Sequence, residues 1–304
     1  MINKNSFDKL IKKPELISQL DFTGISCILN SAKEIFQNEY LLMELNLDNP
    51  EDEIYVIGDI HGNLQSLEKI IEMINQNNPK YIVFLGDIVD RGIKQLECLI
   101  LVLILKILNP TKYYLLKGNH ETFEMNQAYG FYYEFLDKFK DPDKFKEILS
   151  LYQVLPICFL INNSILCLHG GIPEDLDILK KLRGIRPLEF SDDLAKSIFN
   201  GIYQILWNDP KDIDELNFSN SFRGPGIKFF GKVAFDTFMK YNNIKLLIRA
   251  HECFSEGYQW FFNGKLLSIF SSANYRGYFA PNPASYAIIK NNNVYAKNIE
   301  LLQD

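Results

Sequence analysis

The sequence predicts an α/β (α+β) fold: a central β-sandwich of mixed sheets flanked by helices. Two observations predict it. In the first half, short β-branched runs that end at Gly alternate with segments of helical periodicity. In the second half, a series of strand-like runs is joined by short turns. A third observation indicates where such a fold would act. All four histidines of the 304-residue chain follow an apolar run, in turns that carry Gly or Ala: GDIHG, KGNHE, LHGG and RAHE.

The elements follow in order. Residues 6–46 place apolar residues at three-to-four spacing and read as helical, with Pro14 tolerated in a first turn. NPEDE (49–53) is a polar turn, and IYVIGDIHGN is a strand running into a Gly-Asp turn. LQSLEKIIEMINQNN is a helix closed by Asn-Pro, YIVFLGD a strand, and IKQLECLILVLILKILN a helix closed again by Asn-Pro. TKYYLLKGNHE reads as strand then turn, and NQAYGFYYEFLDKF and DKFKEILSLYQVL as helices. SILCLHGG is a strand, and residues 172–222 are mixed. IKLLIRAHE, YQWFFN, KLLSIFSS, SYAIIK and NVYAKNIEL are strands. Length alone allows two domains, but no linker, repeat or low-complexity tract divides the chain. The expectation is a single domain, 1–304, with residues 1–50 as an N-terminal helical segment packed on its core.

Composition narrows the function classes. A net charge of −6 disfavours a broad nucleic-acid footprint. The longest apolar run, LECLILVLILKIL (96–108), is too short to span a membrane and contains Lys106, so it reads as a buried helix. The N-terminus has no apolar core of a signal peptide. Five cysteines without a CxxC read as buried, reduced thiols. A soluble, cytoplasmic protein is expected, with neither membrane nor nucleic acid as partner.

The strand ends carry the chemistry. One histidine in such a place is commonly a satisfied core residue; four at equivalent places are poorly explained that way. In an extended strand end, residues i and i+2 share a side, so Asp59 and His61 could face one ion. Carboxylate, carboxamide and imidazole suit Mn, Fe or Zn better than a soft ion. Five strand ends offer Asp, His, Asp, Asn, His and His, enough for two ions. A two-metal site with its ions about 3.5–4 Å apart clamps an in-line displacement at phosphorus and shares one carboxylate, for which Asp87 is the candidate.

These residues resemble the PPP family of metal-dependent serine/threonine protein phosphatases, within the calcineurin-like metallophosphoesterases. The resemblance rests on GDIHG (58–62), GDIVDRG (86–92), KGNHE (117–121), HGG (169–171) and RAHE (249–252), in that order. LWNDP (206–210), FRG (222–224) and SSANY (271–275) extend it over residues 24 to 290. It implies that Asp59, His61 and Asp87 hold one divalent ion, and that Asp87, Asn119, His169 and His251 hold a second. Manganese is the first expectation for both, with iron or zinc as alternatives. It implies direct attack of a metal-activated water on phosphoserine or phosphothreonine, with His120 protonating the leaving oxygen and Asp90 orienting His120. It implies that Arg91, Arg223 and Asn119 bind the phosphate and that Tyr275 lines the pocket. Phosphoproteins are the expected substrates; regulatory subunits leave no signal.

The sequence departs from the family pattern in places. Lys117 stands where Arg is usual, GPGIKFFG after Arg223 is about one residue longer, Ala273 replaces a frequent Pro, and Arg276 stands where some members carry Cys. No regulatory extension is recognisable on either side of the matched region. Two other readings compete: a dinucleoside polyphosphate hydrolase or broad-specificity bacterial-type phosphatase, and a catalytically inactive scaffold. AYGFYYE and LWNDP speak against the first, and the intact ligand set with His120 against the second.

Overall fold

Two mixed sheets face each other, and helices cover the outer face of each, in the computed structural model of the chain, which describes residues 4–189, 192–277 and 279–300. The first sheet runs Asn293–Ile299 (β14), Ala284–Lys290 (β13), Ile54–Ile57 (β2), Tyr81–Phe84 (β3), Tyr113–Leu115 (β4). The second runs Leu42–Leu45 (β1), Cys158–Ile161 (β5), Ile165–Cys167 (β6), Leu246–Arg249 (β10), Leu266–Ile269 (β12), Tyr258–Phe261 (β11). A small third sheet joins Asp209–Pro210 (β7), Lys228–Phe230 (β9) and Phe218–Asn220 (β8).

Side-chain alternation builds the layers. In β2 and β3, Ile54, Val56 and Val83 point between the sheets, where they meet Phe159, Ile161, Ile165, Ile248 and Leu267. Their neighbours Tyr55, Ile57, Ile82 and Phe84 point outward into the helical layer. Both faces are therefore buried, which is why these strands are continuous apolar runs. The helical layer over the first sheet contains Lys4–Lys12 (α1), Phe22–Phe36 (α2), Leu64–Asn77 (α3), Gln95–Leu108 (α4), Phe123–Tyr129 (α5), Phe131–Phe139 (α6) and Phe145–Tyr152 (α7). Helix α4 is its axis, apolar on every face and buried from Gln95 to Lys106. Truncating one of its leucines, such as Leu103, to Ala costs about 2–5 kcal/mol. Lys106 is buried with it and is held by Glu39 and by the carbonyls of Pro110 and Tyr113 at 2.8 and 2.9 Å. Helices Ile178–Leu182 (α8), Asp192–Trp207 (α9) and Lys232–Tyr241 (α10) cover the second sheet.

Register places the functional loops. β2, β3 and β4 are parallel, with Ile57 opposite Phe84 and Phe84 opposite Leu115. The turns after them, which carry Asp59, Asp87 and Asn119, therefore leave the same edge. In the facing sheet β6 and β10 are parallel, with Cys167 opposite Ile248, so His169 and His251 leave side by side. Ligand sites of open α/β sheets form at such carboxyl ends.

The structure corrects the sequence reading at several points. The segment 6–46 is not helical throughout: its periodic pattern ends at Phe36, and Leu42–Leu45 is a strand paired with β5. LLMEL has no strand signature of its own; pairing with Cys158–Ile161, which the sequence reading left unassigned, decides its state. The helix over NQAYGFYYEFLDKF breaks at Gly130, whose φ of 117° ends α5 and starts α6. Cys27 is exposed, whereas the other four cysteines are buried; all five are free thiols. The strand expected to reach Leu301 is described to Ile299, and residues 1–3 and 301–304 of the expected 1–304 domain lie outside the described residues. No helix among the described residues is long and apolar enough to cross a membrane.

Candidate active site

The strand-end turns converge on Asp87. Its Oδ1 accepts the His120 amide at 2.8 Å, which aims Oδ2 inward. Around that one oxygen lie His169 Nε2 at 3.4 Å, His61 Nε2 at 3.6 Å and His120 Nε2 at 3.9 Å. Asp59 Oδ2 lies 3.6 Å from His61 Nε2, and its Oδ1 accepts the His251 amide at 3.0 Å. Asn119 Oδ1 lies 2.9 Å from His169 Nε2, and His251 Nδ1 lies 3.2 Å from it. All six residues expected as metal ligands thus meet, and all are buried.

The route differs from the expected one. Asp59 and His61 do not share a face of an extended strand, because β2 ends at Ile57 and His61 has a φ of 48°. The left-handed region also holds Asp87 (53°), Asp90 (70°), Arg91 (74°) and His251 (71°). Each such non-glycine residue costs roughly 1 kcal/mol or more, and such conformations cluster at functional sites. Asp59 and His61 are brought to one centre by a turn that folds back, with the Ile60 and His61 amides both donating to the Asp87 carbonyl at 3.0 Å. Gly118 is required by close approach: a Cβ there would sit 2.2 Å from Asp87 Oδ1.

The donor set fits cations. His61 Nδ1 faces the Val89 carbonyl at 2.9 Å and His169 Nδ1 faces the Leu85 carbonyl at 3.0 Å. A carbonyl only accepts, so each Nδ1 carries the hydrogen and the neutral ring turns its Nε2 lone pair inward. His169 Nε2 then confronts Asn119 Oδ1, His251 Nδ1 and Asp87 Oδ2, a cluster of acceptors that positive charge satisfies. Protonation responds to the same demand. Burial opposes a charge on His169, yet the facing Asp87 raises its pKa above the ordinary value. Burial likewise opposes a charge on Asp87, but His169 and His120 outweigh it and hold it below the carboxylate range. Burial pushes Asp59 up to about 6 and, with His120, lowers His61 to about 3. The set therefore suits a pair of divalent cations bridged by one carboxylate.

Beside this floor lies a histidine of another kind. His120 Nδ1 donates to Asp90 Oδ2 at 2.7 Å. Asp90 is fully buried and also accepts from Asn126 Nδ2 at 3.0 Å and from the Phe131 amide at 3.1 Å. Burial works against protonating His120, but Asp87 and the hydrogen-bonded Asp90 prevail, and its pKa stands above the ordinary value.

The remaining expected residues form the mouth of a cavity of about 600 Å³. Arg91 lies over the Tyr129 ring, 3.8 Å from its centroid. Arg223 is half-buried and donates Nε to Asp209 at 2.5 Å. Tyr275 stacks on His61 at 5.0 Å between ring centroids, and burial pushes its phenol up to about 12.

Several structural partners escaped the sequence reading. Glu121 receives the amides of Asp87, Ile88 and Gly118 at 2.9, 3.0 and 2.7 Å, tying two ligand turns together. Asn126 clamps Asp90 and the His120 carbonyl, and Tyr152 donates to Asn126 at 3.1 Å. Arg249, whose place just before His251 already suggests a structural or supporting role, is fully buried and bonds Asp209 at 2.8 Å and Glu252 at 2.8 Å. Glu121, Asp209 and Glu252 all stand inside motifs quoted above; their positions were visible, but not their partners.

Comparison with known proteins agrees with this geometry. The calcineurin-like phosphoesterase family model matches residues 53–254. The serine/threonine-protein phosphatase 4 catalytic subunit of Candida glabrata is 36% identical over 238 residues, spanning 78% of this chain and 74% of that protein. The corresponding subunit of Saccharomyces cerevisiae gives the same identity and coverage. A solved protein serine/threonine phosphatase from Saccharomyces cerevisiae, described as similar to human phosphatase PP5, superposes with a TM-score of 0.79 at 27% identity, covering 94% of this chain and 91% of that one. The chain belongs to the calcineurin-like phosphoesterase family, on its PPP serine/threonine protein phosphatase branch.

Proposed function

We propose that this protein removes phosphate from phosphoserine and phosphothreonine in proteins, as a single catalytic domain with a divalent metal pair. The observation that carries the reading is the meeting of six buried donors, Asp87 at their centre, with the His120–Asp90 pair at their side. Asp59, His61 and Asp87 would hold one ion, and Asp87, Asn119, His169 and His251 the other. Bound there, the pair supplies Lewis acidity and neutralises phosphate charge. Manganese is the proposed metal, and iron or zinc would suit the same donors.

The chain's own residues divide the remaining work. Arg91 and Arg223 at the mouth, with the Asn119 amide, bind and orient the phosphoryl oxygens. Tyr275, neutral at physiological pH, lines the pocket. His120 carries a proton at Nε2 as the imidazolium, a form that the Asp90 carboxylate stabilises by accepting the hydrogen of Nδ1, which also fixes the ring. As the bond from phosphorus to the serine or threonine oxygen breaks, that oxygen takes the Nε2 proton, while a water oxygen forms the new bond to phosphorus. No covalent enzyme intermediate is required.

The similar proteins are named as catalytic subunits, and by that likeness a regulatory subunit is an expected partner. Five free thiols fit a reducing compartment such as the cytoplasm. The test is hydrolysis of a phosphoserine peptide and of diadenosine tetraphosphate, each with and without added Mn²⁺. Metal-dependent phosphate release from the peptide is expected. Cleavage of the dinucleotide alone would move the assignment to polyphosphate hydrolysis, and no turnover of either by metal-loaded protein would favour a scaffold.

A further inference from the structure

Three arginines line the mouth of the active-site cavity, and they are held in three different ways. Arg223 is paired with Asp209. Arg91 rests on the Tyr129 ring. Arg276 is exposed, and its Nη2 donates to the Cys253 carbonyl at 3.0 Å. Among the described residues, arginine ion pairs are made by Arg183, Arg186, Arg223 and Arg249; Arg91 and Arg276 make none, but Arg91 is covered by the Tyr129 ring.

No carboxylate of the cavity is free to answer it. Asp59 and Asp87 belong to the cation-binding floor, and Glu252 is bound to Arg249 at 2.8 Å. This is conspicuous in a chain with 38 acidic and 32 basic residues, where an exposed guanidinium has many acids to meet. The arginine is also well placed. Cys253 lies two residues after His251, and Tyr275, the neighbour of Arg276, stacks on His61. Both of its anchors therefore lead directly to the floor of the site. Phe222, Phe254 and Ser255 line the same cavity, and none of them is anionic.

The phosphoryl group already has Arg91 and Arg223, so a third guanidinium with one hydrogen bond and no counter-charge is left for another anion. We propose that Arg276 is a specificity-determining residue, which receives an anionic group on the substrate residue directly flanking the phosphorylated one. A glutamate or aspartate carboxylate and a second phosphate share the required chemistry. The inference rests on the phosphoprotein phosphatase reading above and refines its substrate class.

The experiment measures kcat/KM on phosphoserine peptides whose flanking residues, on either side, are Lys, Ala, Glu or phosphoserine, at low and high salt. Wild-type protein should prefer an anionic flank over Lys by about threefold to fivefold, the range of an exposed ion pair, and salt should erase the preference. R276Q, which keeps a donor for the Cys253 carbonyl without the charge, should flatten the profile. R276K should retain it, and R276E should invert it. A merely structural Arg276 would shift all peptides together and leave the ratios unmoved. A larger gain with phosphoserine identifies the second phosphate as the preferred group, and a larger gain with Glu identifies the carboxylate. Hydrolysis with a flat profile in wild type, or an unchanged profile in R276Q, overturns this proposal alone. Failure to hydrolyse any phosphopeptide overturns the phosphatase reading and this proposal with it.

Discussion

The floor of the site and its rim are built on opposite principles. On the floor, Asp59, His61, Asp87 and His169 are buried, and each turns one atom to a backbone partner and another to the common centre. On the rim, Arg91, Arg223, Tyr275 and Arg276 are exposed or half-buried, held by a ring, a carboxylate or a single carbonyl. The floor is over-determined, so its geometry cannot adapt and its losses should be total. The rim is held loosely enough to accept different substrates, and its losses should be graded.

The largest effect is expected at Asp87, the residue proposed to serve both cation positions. Asp87→Asn should reduce phosphopeptide hydrolysis to background and lower bound metal below two ions per chain, as read by elemental analysis. Two fully occupied ions in that variant would contradict the bridging role.

Glu121→Gln comes next. It replaces one of two oxygens that receive three backbone amides with an NH₂ group, which cannot accept them. Metal affinity should fall by about 10–100-fold, as for other groups that orient ligands. Titration of metal into the apo variant checks this, and unchanged affinity would make Glu121 a bystander.

On the rim, Arg91→Ala should act chiefly on binding. Losing one charge-assisted contact raises KM by about tenfold, with metal content intact. A loss of metal in this variant would erase the distinction between the two regions.

The same distinction explains what the sequence could reveal. The meeting of Asp59, His61, Asp87, Asn119, His169 and His251 was legible because each lies in the turn that follows an apolar strand, and the turns at the carboxyl ends of parallel strands leave a sheet on one edge. The strand series from Leu246 to Ile299 and the helix over 95–108 were legible because their patterns are strong and local. What escaped depends on partners distant in sequence. Leu42–Leu45 becomes a strand because Cys158–Ile161 lies beside it. Asn126 and Glu121 gain their roles from Asp90 and Asp87, more than thirty residues away. His61 reaches the centre through a left-handed turn that no alternation rule contains.

One assignment crosses the boundary between the regions. Geometry alone lets His120 join His61 and Asp87 as a third donor to a cation, since their ligating atoms lie within 4.8 Å of one another. The partner of each Nδ1 separates the two rings. His61 Nδ1 donates to the neutral Val89 carbonyl, which leaves the Nε2 lone pair for a cation. His120 Nδ1 donates to the buried Asp90 carboxylate, which stabilises the doubly protonated ring. His120→Asn, measured for bound metal and for phosphoserine turnover in the same preparation, therefore tests the account most directly. The account predicts two ions per chain with turnover reduced by about 10²-fold or more, the scale of general acid catalysis. Loss of metal in step with activity, or turnover near that of the unmodified protein, would contradict it.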